Sequence, residues 1–162
     1  MTDKIITINY KEYYTYATLE DADNYFAAAY GSEWEQISEN QKQKLLITAT
    51  RLIDRRDYQG EKVNPEQPLK FPRIICDEKT NDDVLITACC ELAANIYSDG
   101  GVDKSMSNIK SVSLGDSSIS FIESGKTESE DDLIIEKFLS NYLMGGVRVI
   151  LWHYNKAMQH WK

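Results

Sequence analysis

Three cysteines, two histidines, two acidic pairs and one basic cluster are the side chains of this 162-residue chain that could do chemistry. Zinc or redox chemistry asks for thiols and imidazoles grouped at ligand spacing. Cys76 stands alone and Cys89 adjoins Cys90, so no second spaced pair completes a site. His153 and His160 lie seven residues apart, two turns along a helix, too far to share one metal directly. Asp82-Asp83 and Asp131-Asp132 have the composition of acid–base dyads, but each opens an expected helix, where carboxylates complement the dipole. No glycine loop is followed by a lysine-serine pattern, and no serine sits in a strained elbow. These residues predict no catalytic group, no metal and no cofactor, and hence a protein that is not an enzyme.

The basic cluster comprises Arg51, Arg55, Arg56, Lys62, Lys70 and Arg73, interleaved with Tyr58 and Phe71. Cations beside aromatics can hold single-stranded nucleic acid, the cations on phosphate and the rings on bases. The same residues would equally serve a charge-balanced surface that docks on acidic segments of a neighbouring subunit. The overall charge favours docking: 18 Lys+Arg against 26 Asp+Glu leave −8, and nucleic-acid affinity comes mostly from phosphate neutralisation.

The elements that must position these residues are mainly helical. Thr18-Leu-Glu-Asp21 is a capping box, followed by Leu19, Ala22, Phe26 and Ala29 at helical spacing, with Gly31 as the left-handed stop. Ser38-Glu-Asn-Gln41 opens a second helix with the stripe Leu45, Ala49, Leu52 and Ile53 and a basic outer side of Lys42, Lys44, Arg51 and Arg55. Asn81-Asp82-Asp83 caps a third, carrying Leu85, Cys89, Leu92, Ala93 and Ile96, and Asp99-Gly100-Gly101 ends it. Ser129 caps a fourth with Ile135, Phe138, Leu139 and Tyr142, stopped at Gly145-Gly146. Residues 5–10 read as a short strand, and residues 109–122 as a hairpin turning at Gly115-Asp116. Residues 57–82 hold all three prolines and lose the helical period, which predicts a long functional or partner-ordered loop. Val147, Leu151, Tyr154, Met158 and Trp161 recur by four, three, four and three, an apolar seam if residues 147–162 are helical.

The odd cysteine count suits reduced thiols in a cytosolic setting rather than a secreted disulfide framework. No apolar run reaches the roughly 18 residues of a membrane span, and the first residues lack signal-peptide character. The expected fold is a mainly α, four- to five-helix bundle with a small β-hairpin and extended loop and tail arms. Residues 1–146 form one domain, with the long loop at 57–82 and the hairpin at 109–122, and residues 147–162 form a C-terminal docking arm.

Several runs together carry a family resemblance: Tyr16-Ala-Thr-Leu-Glu-Asp-Ala-Asp-Asn-Tyr-Phe26, Trp34, Leu46-Ile-Thr-Ala-Thr-Arg-Leu-Ile-Asp54, Gly60-Glu61 and Gln67-Pro-Leu-Lys-Phe-Pro-Arg73. Over about residues 13–150 the chain resembles a family of tailed-phage and prophage proteins encoded among head–tail joining genes. The family is often labelled putative DnaT-like single-stranded-DNA-binding, and it is similar to head–tail connector (adaptor) proteins. Phe71 stands where that family commonly has tryptophan.

The resemblance implies a structural virion protein made in the bacterial host cytoplasm and placed in the neck. Its partners would be the portal protein, neighbouring copies in a ring, and a tail-side neck or stopper protein. Double-stranded DNA would pass through the lumen without specific binding, a role that the net acidity suits, and no membrane would be involved. Val147, Ile150, Leu151, Trp152, Tyr154, Met158 and Trp161 would dock on the partner. Arg51, Arg55, Arg56, Lys70, Phe71 and Arg73 would contact a neighbouring subunit or nucleic acid. The alternative function is a single-stranded-DNA-binding replication accessory protein.

Overall fold

Both expected capping boxes close. The Thr18 hydroxyl accepts from the Asp21 amide at 3.1 Å, and the Asp21 carboxylate accepts from the Thr18 amide at 2.7 Å, which starts helix α1, Leu19–Ala27. The Gln41 side chain accepts from the Ser38 amide at 3.4 Å, and helix α2 runs Glu39–Asp54. Asn81 Oδ1 accepts from the Asp83 amide at 2.9 Å as α3, Asp82–Ser98, begins. Helix α4 spans Glu130–Leu139. In this computed structural model the described residues are 4–29, 31–98 and 130–144. The hairpin expected at 109–122 and the arm at 147–162 lie outside them.

The helices share one core. Helix α3 packs against α1, α2 and α4 and buries Leu85, Ala88, Cys89, Cys90, Leu92, Ala93 and Ile96. A helix contacted by three others needs a broad apolar surface, wider than the single stripe its sequence suggests. Helix α2 buries Leu46, Ile47, Ala49, Thr50 and Ile53, while Leu45 and Leu52 lie at the margin of that face. Trp34, in a single 3₁₀ turn at Trp34–Gln36, is 2% exposed. It stacks on Phe26 at 4.8 Å and donates its indole N–H to Asp23 at 2.8 Å, which satisfies the one polar atom that burial would otherwise strand.

The expected four- to five-helix bundle is corrected by two small antiparallel sheets holding five strands; helix accounts for only about half of the described residues. Strands β1, Lys4–Ile8, and β2, Lys11–Thr15, pair from Lys4↔Thr15 to Ile8↔Lys11. Strands β3, Glu61–Lys62, β4, Arg73–Ile75, and β5, Glu78–Lys79, form the second sheet in the order β3-β4-β5. The second sheet occupies much of the expected 57–82 loop. Strands of two and three residues are too short to show alternation, and the Cys76-Asp77 turn between β4 and β5 lacks the glycine that usually signals a hairpin. An edge from far along the chain completes the region. The Gln59 amide donates to the Tyr142 carbonyl at 2.9 Å, and the Met144 amide to the Asp57 carbonyl at 3.0 Å.

The β1–β2 hairpin is held on α2 where β2 ends. The Tyr16 amide donates to the buried Thr50 hydroxyl at 3.2 Å. Thr15, Tyr16 and Ala17 are buried beside it. At the same end of the pair, Lys4 Nζ meets the Asp21 carboxylate at 2.5 Å, tying β1 to the α1 cap.

Candidate nucleic-acid interface

The cations of the expected basic cluster divide into two sets. Lys62, Lys70 and Arg73 turn inward onto backbone carbonyls, and Arg56 turns to a carboxylate. The Arg73 guanidinium donates to the carbonyls of Gln59 at 2.6 Å, Gly60 at 2.5 Å, and Tyr58 and Lys70 at 3.3 Å each. Lys70 Nζ donates to the Arg56 carbonyl at 2.5 Å and lies 3.5 Å from Asp57. Lys62 Nζ donates to the Gln67 carbonyl at 3.0 Å, and Arg56 pairs with Asp132 on α4. Lys62, Lys70 and Arg73 serve as clamps for residues 56–73, because the short sheet ladder leaves turn carbonyls unsatisfied and a guanidinium can reach several at once.

The aromatics of that cluster are buried. Phe71 is 3% exposed and lies among Tyr58 at 4.5 Å, Tyr142 at 5.8 Å and Tyr16 at 5.9 Å between ring centres. Tyr58 donates its hydroxyl to the Ile53 carbonyl at 2.8 Å. Tyr16 donates to Asp54, and that carboxylate also accepts from the Lys70 amide at 3.0 Å. Burial, then the Asp54 charge and hydrogen bond, push the Tyr16 hydroxyl far above its ordinary pKa, so it remains a donor. Tyr16 and Phe71 also form part of the wall of the groove beneath β2, and all four rings are buried.

Arg51 and Arg55 point outward. With Lys44 and Thr48 they follow a spacing of four, three and four residues, which sets all four on one side of α2, opposite the buried Leu46, Ala49 and Ile53. The row continues across the hairpin. Arg51 Cζ lies 5.8 Å from the centre of the Tyr13 ring, and Lys11 Nζ lies 5.4 Å from the same ring. Among the described residues, Lys11, Lys44, Arg51 and Arg55 take part in none of the ion pairs. Lys42, by contrast, is paired with Asp23 at 2.7 Å over the Trp34 ring. Lys11 and Tyr13 escape a linear reading because they lie some forty residues from Arg51 and meet it only through the docking of β2 on α2.

Tyr14 alternates to the other face of β2 and lines a groove of about 190 Å³ with Val63, Pro68, Leu69, Pro72 and Lys79. Two of its polar side chains are already engaged: Lys79 lies 3.6 Å from Asp82, and the Gln67 side-chain amide donates to the carbonyls of Leu69 and Pro72 at 3.0 Å each. Cys89 is buried at the α2–α3 contact, and burial, relieved only partly by Thr50, pushes its thiol up to about 11. Among the described residues no three His, Cys, Asp or Glu side chains are grouped to hold a metal, and no helix is long and apolar enough to cross a membrane.

No curated protein and no solved structure matches the chain. A protein-family model described as "Putative DnaT-like ssDNA binding protein" matches residues 8–151. That description names single-stranded DNA and neither portal nor tail, so the expected virion head–tail connector is corrected in favour of the alternative. Because the match covers most of its length, this chain belongs to the family of putative DnaT-like ssDNA-binding proteins.

Proposed function

We propose that the protein binds single-stranded DNA, and that it does so without turning it over. The observation that carries this reading is the row Lys44, Arg51, Arg55 and Lys11, four cations with no carboxylate partner among the described residues. Of the twelve described lysines and arginines, five pair with a carboxylate, and Lys62 and Arg73 are spent on backbone carbonyls instead. A row left unpaired beside an aromatic is the arrangement that follows a phosphate backbone.

The net acidity limits the affinity and makes it steep in salt. Long-range repulsion opposes the approach of a polyanion, and only close contacts at the row overcome it. Fluorescence anisotropy of a labelled oligothymidylate, titrated at low and at moderate salt, tests the proposal. The expected result is saturable binding at low salt that weakens steeply as salt rises, with a duplex of equal length competing poorly. Absence of binding at low salt overturns it.

A further inference from the structure

The loop between β1 and β2 contains only Asn9 and Tyr10, because Ile8 pairs directly with Lys11. Both loop residues are left-handed, with φ of +51° and +63°. A two-residue hairpin of this hand matches the twist of its strands and strongly prefers asparagine followed by glycine. Asn9 fits that pattern. Tyr10 occupies the position where glycine is favoured, and its Cβ and ring make the left-handed backbone unfavourable.

Folding gains nothing visible in return. The Tyr10 side chain is fully exposed, at 104% of its reference area. Among the described residues it takes part in no ring contact, cation–π contact or side-chain hydrogen bond. The other turn of this geometry, Cys76-Asp77, carries two small side chains. A strained backbone that presents a bare ring to water is a local conflict of the kind that collects at binding sites.

The surroundings of Tyr10 indicate what the ring meets. Lys11 follows it directly, and Lys11 and Arg51 flank Tyr13 on the same hairpin. A strand whose phosphates follow Arg51 and Lys11 arrives at the hairpin tip with its bases free. In a duplex both faces of an internal base are covered by neighbours, whereas a single strand offers a face to an exposed ring.

We propose that Tyr10 is a stacking platform for one base of a single-stranded nucleic acid held by the α2–hairpin row. This deepens the proposed function and rests on it. The test uses the full chain with an oligothymidylate carrying one 2-aminopurine, whose fluorescence responds to stacking, alongside anisotropy and thermal melting. Tyr10→Gly should raise the melting temperature, weaken binding by about tenfold, abolish the 2-aminopurine response and leave the salt slope unchanged. Tyr10→Phe, which keeps the ring, should recover both affinity and response. Tyr10→Asn, which also suits a left-handed turn, should behave as the glycine variant does and serves if that variant misfolds. If the glycine or asparagine variant binds like wild type while Arg51→Ala/Arg55→Ala weakens binding, the Tyr10 assignment falls and the proposed function stands. If the wild-type chain fails to bind single strands at all, both fall.

Discussion

Replacing Arg51 and Arg55 together by alanine removes two of the four cations of the row without touching the core, since both side chains are exposed. The folding cost is small: the Arg51–Tyr13 contact contributes only about 0.5–1 kcal/mol at an exposed site, and no buried partner is orphaned. The binding cost is larger and has a distinctive form. If each of the four cations meets one phosphate, the logarithm of the affinity for a single strand falls with the logarithm of salt at a slope of roughly −2.8. Going from about 50 to about 200 mM salt then weakens wild-type binding roughly fiftyfold. With two contacts left the slope becomes roughly −1.4, and the same change in salt costs roughly sevenfold. Anisotropy titrations at four or more salt concentrations measure the slope directly. Arg56→Ala is the matched control, because Arg56 is spent on Asp132 and its loss should leave the slope unchanged. A double variant whose slope equals that of wild type would refute the reasoning, even if its affinity at one salt concentration were lower.

Other outcomes follow from the packing. Gly60→Ala should destabilise the fold by at least about 3 kcal/mol in a denaturant melt, because φ is +68° and a Cβ would lie 2.0 Å from the Ile74 carbonyl oxygen. Burial raises the Asp21 carboxyl, but hydrogen bonds from Lys4 and Thr18 and the Lys4 charge outweigh it and hold the group below its ordinary value. Its stabilising contribution is therefore complete above the unfolded value of about 3.9 and is lost as pH falls through the lower folded value. Asp21→Asn should accordingly melt below wild type at neutral pH and converge on it in strong acid. With an aromatic disulfide reagent at mildly alkaline pH, the half-exposed Cys76 should react in the native protein, while Cys89 and Cys90, both buried, should react only on unfolding.

Much of the helical framework can be read along the chain. The Thr18 and Ser38 capping boxes and the Asn81 cap are local patterns, and each marks the start of a helix. The periodic residues of α2 and α3 enter the core, with the α2 face turned slightly from Leu45 and Leu52 toward Leu46 and Thr50. Helix α1 ends at Ala27, before the left-handed Gly31 expected to stop it. The outward direction of Arg51 and Arg55 also follows from spacing, because a helix sorts its side chains by position alone.

The clamps and the completed row belong to the tertiary structure. Nothing in the composition of residues 57–73 shows that Arg73 is consumed by four backbone carbonyls or that Phe71 is enclosed by Tyr16, Tyr58 and Tyr142. Both depend on partners brought from other segments, the Tyr142 edge from more than seventy residues away. Caps and helical periodicity join residues three or four apart, so the chain states them locally. Backbone carbonyls are alike at every position, so which of them a cation will find, and which cations are left for a ligand, is settled only when distant strands and helices have packed together.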